Sequence, residues 1–291
     1  MEVARGIHRI EGDLGERYVC QYLLVGEERT LLVDTGLREM PRTVIAPYLD
    51  GRRVDDVLIS HADVDHCGGN VAMRELAPGA RFLCGEPDRA WIESNAAMLA
   101  GNYRWYEEYG FGPSAEDVAF LEHELGGDAP IDVGLQGGET LRLGPGRELE
   151  VLALSGHTLG HLGLWDAETG AAIVIDAVLA DGVYDRAGNR LIPPRYYTAA
   201  GYEATIRRLR ALDPALLLTA HYPVMERDEA RAFLDRSLAF VQAVREAVRA
   251  EVRSGTTQLW PLTQAVDAAV GPFPAFTHEL AASVRAHLAE A

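Results

Sequence analysis

Between Leu58 and Asn70 the chain reads LISHADVDHCGGN, placing His61, Asp63, Asp65 and His66 within six positions behind an apolar run. Imidazole and carboxylate without thiolate form a donor set suited to zinc, iron or manganese. The same arrangement recurs by position elsewhere. The apolar stretches TLLV, VLIS, LEVLALSG, AAIVI and ALLLTA run into Asp34, His61, His157, Asp176 and His221. Strand ends give rigid, converging positions at one sheet edge, while the loops beyond them reach solvent. Five such strands predict one shared site. Two cations about 3.5–4 Å apart need a bridging carboxylate and further ligands on each, which this inventory provides. The HADVDH segment cannot aim four side chains at one ion, because neighbours in an extended loop point in opposite directions. It serves two ions side by side.

The elements that must hold these residues follow from the hydrophobic periodicity. Strands are predicted over residues 3–10, 18–25, 30–33 and 57–60, with a helix at 41–49 and another behind Gly68 and Gly69. Residues 86–125 read as helical and aromatic. Strands resume at 140–143, 148–154, 162–166 and 171–175, followed by a helix at 202–212 and a buried strand at 215–219. Helices at 229–252, 262–270 and 277–288 finish the chain, with Thr277 as the N-cap of the last. This order predicts an α/β (α+β) architecture of two sheets, each covered outside by helices.

Composition narrows the partners. With 291 residues, 48% hydrophobic, the chain can bury a sizeable core. Its 27 basic and 44 acidic residues leave a net charge of −17, which repels phosphate backbones and anionic lipid surfaces. A small-molecule substrate is expected, with no nucleic acid and no membrane, in a monomer or homodimer. The opening MEVARGIHRIEG has neither a basic nor an apolar leader region, so a cytoplasmic protein is expected. Cys20, Cys67 and Cys84 form no CxxC pair and are expected to pack as small apolar groups.

The motifs HADVDHCGG, GHTLGH, IDA and LLLTAHYP, in this order, resemble those of the metallo-β-lactamase superfamily over about residues 3–224. The resemblance implies a four-layer αββα sandwich with a two-metal site between the sheets. It implies that His61, Asp63 and His157 hold the first metal, that Asp65, His66 and His221 hold the second, and that Asp176 bridges them. Asp34 would steady the metal-binding loop, and His161 would take a buried hydrogen-bonding role behind the ligands. The chain departs from the family at Asp63, which stands where a histidine is usual. Flavodiiron proteins carry glutamate there, and certain DNA-uptake and phosphorylcholine-esterase domains aspartate. Zinc is the expected metal, with iron or manganese as the alternatives that this harder, anionic ligand admits.

On this reading residues 1–225 form the catalytic domain, with a helical insertion at about 86–125, and residues 226–291 form a helical extension packed on it. The aromatic segment 91–111 is either a pocket wall or core between helices. The stretch PPRYYTAAGY resembles a loop that presents a tyrosine to the substrate carbonyl in some family members, making Tyr196 or Tyr197 the candidate contact. His8, His123, His278 and His287 read as surface or helix-face residues.

The expected activity is hydrolysis of a small carboxylic ester, thioester or lactone by hydroxide held between two metals, with Asp65 accepting and returning a proton. Glyoxalase II itself is disfavoured, since no basic cluster for glutathione is evident. A small phosphodiester is the alternative substrate. Diiron redox chemistry ranks lower because no glycine-patterned flavin domain is found, and purely structural metals predict a protein without turnover. True β-lactam hydrolysis is disfavoured by the missing export signal.

Overall fold

The computed structural model describes residues 1–289. Seven strands in sequence order make the first sheet: β1 (Glu2–Ala4), β2 (Ile7–Leu14), β3 (Arg17–Val25), β4 (Thr30–Val33), β5 (Asp56–Ile59), β6 (Arg81–Gly85) and β7 (Val133–Leu135). The pairing is antiparallel from β1 to β4 and parallel from β4 to β7. The single strand predicted over 3–10 is interrupted at Gly6, whose φ of 65° turns the chain back on itself. β6 and β7 lie outside the predicted strands, since short runs in parallel strands carry no alternation to mark them.

The second sheet contains β8 (Thr140–Gly144), β9 (Arg147–Ala153), β10 (Leu162–Asp166) and β11 (Ala171–Ile175). After a separate hairpin of β12 (Val183–Tyr184) and β13 (Arg190–Ile192), it is completed by β14 (Leu216–Thr219) and β15 (Met225–Glu226), in the order β15-β14-β11-β10-β9-β8. Tyr22, Leu31, Val33 and Leu58 of the first sheet pack against Val151, Leu164, Ile173 and Leu218 of the second. Leu32, Val57 and Phe82 face outward onto Ile45, Met73 and Leu121, while Val174 and Leu217 face Ile206, Phe233 and Leu234. The protein is therefore an αββα sandwich, in which central strands such as β4, β5 and β11 bury residues on both faces. At the edge that carries the motifs the sheets are tied directly: Tyr22 Oη donates to Thr219 O at 2.7 Å and Leu162 N to Ser60 O at 2.8 Å.

The helix Arg227–Ser254 begins with a Glu226/Glu229 capping box and ends at Gly255, where φ is 101°. Its Phe233, Leu234 and Val241 cover the second sheet, and its Phe240, Val244 and Val248 pack on the helices Leu259–Val270 and Leu280–Leu288. Thr277 is not the predicted N-cap: its hydroxyl donates to Phe273 O at 2.7 Å, and a 3-10 turn over Thr277–Glu279 enters the last helix.

The aromatic segment divides between its two expected fates. Tyr106 is fully buried among the C-terminal helices, and Phe111 stacks on Trp260 with ring centroids 4.5 Å apart. Tyr103, from the π-helical turn Leu99–Tyr103, instead reaches the cavity at the motif edge.

Candidate metal centre

The HADVDH segment is half loop and half helix, which corrects the expectation of one extended loop. His61 and Ala62 bend away from β5, Asp63 is extended at φ −129° and ψ 149°, and Val64–Cys67 then form one helical turn. The turn changes the direction of the side chains between Asp63 and Asp65. Two pairs thus enter two clusters.

In the first cluster Asp63 Oδ2 lies 3.3 Å from His61 Nε2 and 3.1 Å from His157 Nε2. In the second, His221 Nε2 lies 3.4 Å from Asp65 Oδ2, and His66 Nε2 lies 3.8 Å from Asp65 Oδ1. Asp176 Oδ2 joins this cluster at 3.1 Å from His221 Nε2 and 3.4 Å from His66 Nε2, and one of its oxygens is within 4.8 Å of the His61 and His157 donors. All seven expected ligands therefore converge, with Asp176 between the clusters.

Asp176 reaches this place through strain. β11 ends at Ile175 with φ 50°, a left-handed conformation costing a β-branched residue on the order of 1–3 kcal/mol. Asp34, after β4, also has a positive φ, 64°. Its carboxylate accepts from Ser60 N at 2.7 Å, Ser60 Oγ at 2.8 Å and His66 Nδ1 at 2.8 Å, anchoring the start of the motif.

These partners fix the protonation of every imidazole. His66 Nδ1–H donates to Asp34, His157 Nδ1–H to Arg195 O at 2.7 Å, and His221 Nδ1–H to Tyr18 O at 2.9 Å. Ser60 Oγ spends its proton on Asp34, so His61 Nδ1–H, at 2.9 Å, donates to it. All four Nε2 atoms are left as lone pairs aimed at carboxylate oxygens, an arrangement that requires a cation or a further proton between them.

The residues fit a pair of divalent ions. Donors about 2.1 Å from a common ion stand roughly 3.0–3.4 Å apart in octahedral or tetrahedral geometry, as the closest distances here do. His66 Nε2 and Asp176 Oδ1 are buried without a hydrogen-bond partner. Burial lowers the pKa of His66, but Asp65, Asp176 and Asp34 outweigh it and raise it well above the ordinary value, a local demand for positive charge.

Several further residues shape the site. Asp88, 1% exposed, accepts from Ala62 N at 3.3 Å, Gly160 N at 2.7 Å and Thr158 Oγ1, so one carboxylate joins the HADVDH and GHTLGH loops. Burial pushes its pKa up to about 6 against these donors. Asp63 is held by Arg195 Nη2, by Asn102 Nδ2 at 2.8 Å and by Tyr103 Oη at 3.2 Å, all on Oδ1. Burial alone would raise its pKa, but Arg195 outweighs that and keeps the carboxyl well below its usual range. Nothing in the sequence assigns Asp88, Asn102, Tyr103 or Arg195 an individual role at the site. Tyr103 lies in the aromatic segment and Arg195 adjoins the Tyr196 singled out there, and that proximity was the available signal.

The remaining candidates are placed differently. His161 stacks on His61 with centroids 4.6 Å apart, and neither of its ring nitrogens has a hydrogen-bond partner, contrary to the expected hydrogen-bonding role. Burial holds its pKa well below normal and keeps it neutral. Neither Tyr196 nor Tyr197 lines the cavity, which corrects their assignment as substrate contacts. Tyr196 Oη is 2.8 Å from His287 Nε2, and Tyr197 Oη donates to Asn102 Oδ1 at 2.6 Å, one step behind Asp63. His287 is itself 2% exposed and no surface residue, because the last helix turns it toward Tyr196.

Asp63, Asp65, His157, Asp176 and His221 form one wall of a cavity, with the fully buried His61 and His66 behind them. Leu14, Val64, Leu121, Leu179, Ile192 and Phe276 supply much of its apolar lining, with Arg17, Arg195 and Glu279 as charged groups beyond the ligands.

The sequence profile described as the metallo-beta-lactamase superfamily matches residues 14–221. No curated protein is significantly similar to the chain. Among solved structures, a metallo-beta-lactamase family protein from Thermus thermophilus is 22% identical, with a TM-score of 0.72 covering 99% of this chain and 93% of that one. A beta-lactamase domain protein from Burkholderia ambifaria is 19% identical, with a TM-score of 0.68 over 99% of this chain and 87% of its own. A stereoselective inverting sec-alkylsulfatase from a Pseudomonas species is 16% identical, with a TM-score of 0.63 over 98% and 49% respectively. At such identities these likenesses show a common fold.

Proposed function

This chain belongs to the metallo-β-lactamase superfamily, and on that premise we propose that it is a dinuclear metal-dependent hydrolase of a small carboxylic ester, thioester or lactone. The observation that carries the reading is the convergence of four imidazole lone pairs and three carboxylates beside a largely apolar cavity, which five of these residues line. His61, Asp63 and His157 would hold one divalent cation and Asp65, His66 and His221 the other, with Asp176 between them. Zinc is the expected metal. Cations in such a site supply a Lewis acid for the carbonyl oxygen and water acidified toward neutral pH.

The chain supplies the rest. The apolar lining takes the acyl or alkyl part of the substrate and sheds its water, which strengthens every charge interaction at the reacting carbon. Asp65 is more exposed than its neighbours, 16% against 7% for Asp176. A carboxylate oxygen of Asp65 accepts the proton released by the nucleophile and returns it to the departing oxygen or sulfur. Asp34, Tyr18 O and Arg195 O hold the outer protons of the imidazoles, so their ring orientations survive each turnover. Unlike the carboxylates of glutathione, an acyl group with little charge matches this lining.

Elemental analysis of protein purified without chelator, paired with aryl ester, thioester, lactone and phosphodiester substrates, tests the reading. About two equivalents of divalent metal are expected, with ester-class turnover lost on chelation and regained with zinc. Fully loaded protein inert toward all three ester classes would refute it. A small phosphodiester is the second reading, favoured by Arg17, a cation on the cavity wall with no ion-pair partner among the described residues. Turnover of that substrate alone would select it.

A further inference from the structure

We propose that Arg195 is the built-in counter-cation of Asp63, a positioning residue that makes this carboxylate serve the first cluster as a single-oxygen ligand with almost no net charge, much as a neutral imidazole would. The proposal rests on the metal-centre reading above and deepens it.

The two oxygens of Asp63 have different surroundings. Oδ1 accepts from Arg195 Nη2, from Asn102 Nδ2 at 2.8 Å and from Tyr103 Oη at 3.2 Å, so its accepting capacity is filled. Oδ2 faces only the lone pairs of His61 Nε2 and His157 Nε2. One oxygen is thus committed to the protein and one is offered to the cluster, which excludes bidentate ligation.

Arg195 needs a reason to stand where it does. It is 3% exposed, and a buried guanidinium beside a site for divalent cations is costly unless it is paired. Asp63 supplies that pairing. Glu279 Oε1, at 3.6 Å from Nη1, and the rings of Tyr103 and Tyr197, with centroids 5.5 and 5.9 Å from Cζ, complete the nest. The same residue also acts through its backbone, since Arg195 O accepts the Nδ1 proton of His157. Side chain and carbonyl together orient two of the three ligands in the cluster.

The charge count then separates the clusters. His61 and His157 add no charge, and the Arg195 guanidinium, hydrogen-bonded to Asp63 and only 3.6 Å from Glu279 at its other nitrogen, offsets most of the Asp63 charge, so the first cluster approaches three imidazoles. The second keeps the full charge of Asp65. An anionic ligand favours harder ions and weakens Lewis acidity; cancelling the charge at Asp63 removes the advantage that the sequence alone would give iron or manganese. The first cluster is accordingly assigned to zinc.

Metal binding by the full chain tests this, using the protein stripped of metal and titrated with Zn2+ and Mn2+ in competition with a chromophoric chelator. Asp63→His sets an imidazole against a guanidinium left with Glu279 alone, 3.6 Å away, and binding of the first-cluster ion should weaken about thirtyfold. Adding Arg195→Met should restore affinity to within about threefold of the native chain. Arg195→Met alone, with Asn102 and Tyr103 still holding Oδ1, should shift the Mn2+ to Zn2+ affinity ratio about tenfold toward manganese, while Arg195→Lys leaves it unchanged. The ratio is read within one protein, so a uniform loss of folded molecules does not move it. Should Arg195→Met fail to fold, Arg195→Lys and the double variant carry the test. The proposal is overturned if Asp63→His binds both ions as tightly as the native chain, if the double variant binds no better than Asp63→His, or if the ratio is the same in all folded Arg195 variants. A native chain that binds no divalent ion overturns the metal-centre reading itself, and its stoichiometry reports that before any variant is made.

Discussion

The two clusters use the same kinds of ligand but hang from different parts of the molecule. In the second, His66 and His221 give their outer protons to Asp34 and to Tyr18 O, groups at the ends of first-sheet strands. In the first, Asp63 and His157 are steadied by Asn102, Tyr103 and Arg195, which lie outside both sheets. A sheet fixes position through its register, whereas a peripheral segment fixes it through individual side chains. The second cluster is therefore set by the fold, and the first is tuned by what is built around it.

Removing the group common to both should have the largest effect. Asp176→Ala is expected to lower kcat/KM by at least about a thousandfold and to reduce metal content, measured by steady-state kinetics and elemental analysis; unchanged metal content would rule out its place between the clusters. Asp88→Ala separates the loops bearing His61 and His157, leaving buried donors unpaired at a cost of about 3 kcal/mol. Urea denaturation of the metal-free protein checks it, and a loss under about 1 kcal/mol would show that the loops hold without it. Asp34→Asn addresses the second cluster, where affinity should fall about 10–100-fold. Titration should find a smaller loss at the first cluster, and equal losses would erase the distinction drawn above.

The smallest expected effect concerns the periphery alone. Burial lowers the pKa of His287 to about 4 from 6.5, so the unfolded chain binds the extra proton between these values. The corresponding stability is complete above about pH 6.5 and is lost as pH falls toward 4, about 2 kcal/mol of it by pH 5. Melting of metal-free protein at pH 7.5 and 5.0 should show a smaller acid-induced drop for His287→Gln. An unchanged drop would mean that the helix beside Tyr196 is indifferent to this proton.

The converging imidazoles and carboxylates were legible because His61, His157, Asp176 and His221 each follow an apolar run, because Asp63, Asp65 and His66 crowd behind the first of these, and because such groups at strand ends have few other uses. The sandwich followed from the order of elements and from the motif resemblance. β6 was missed because a short buried strand has no alternation, and the helical turn Val64–Cys67 because one turn is too short to show a period. Tyr196 and Tyr197 were placed in the pocket since adjacency to a site does not give side-chain direction; their hydroxyls reach His287 and Asn102 instead.

Residue type and spacing settled which atoms are able to bind metal, since a donor's chemistry is a property of the side chain itself. Tertiary structure settled which group faces the outer nitrogen of His66, His157 and His221 and that a guanidinium stands beside Asp63. Those depend on partners far along the chain: 203 residues separate His221 from Tyr18, and 132 separate Asp63 from Arg195. Only the packing of the two sheets and the C-terminal helices brings such groups within a hydrogen bond of one another.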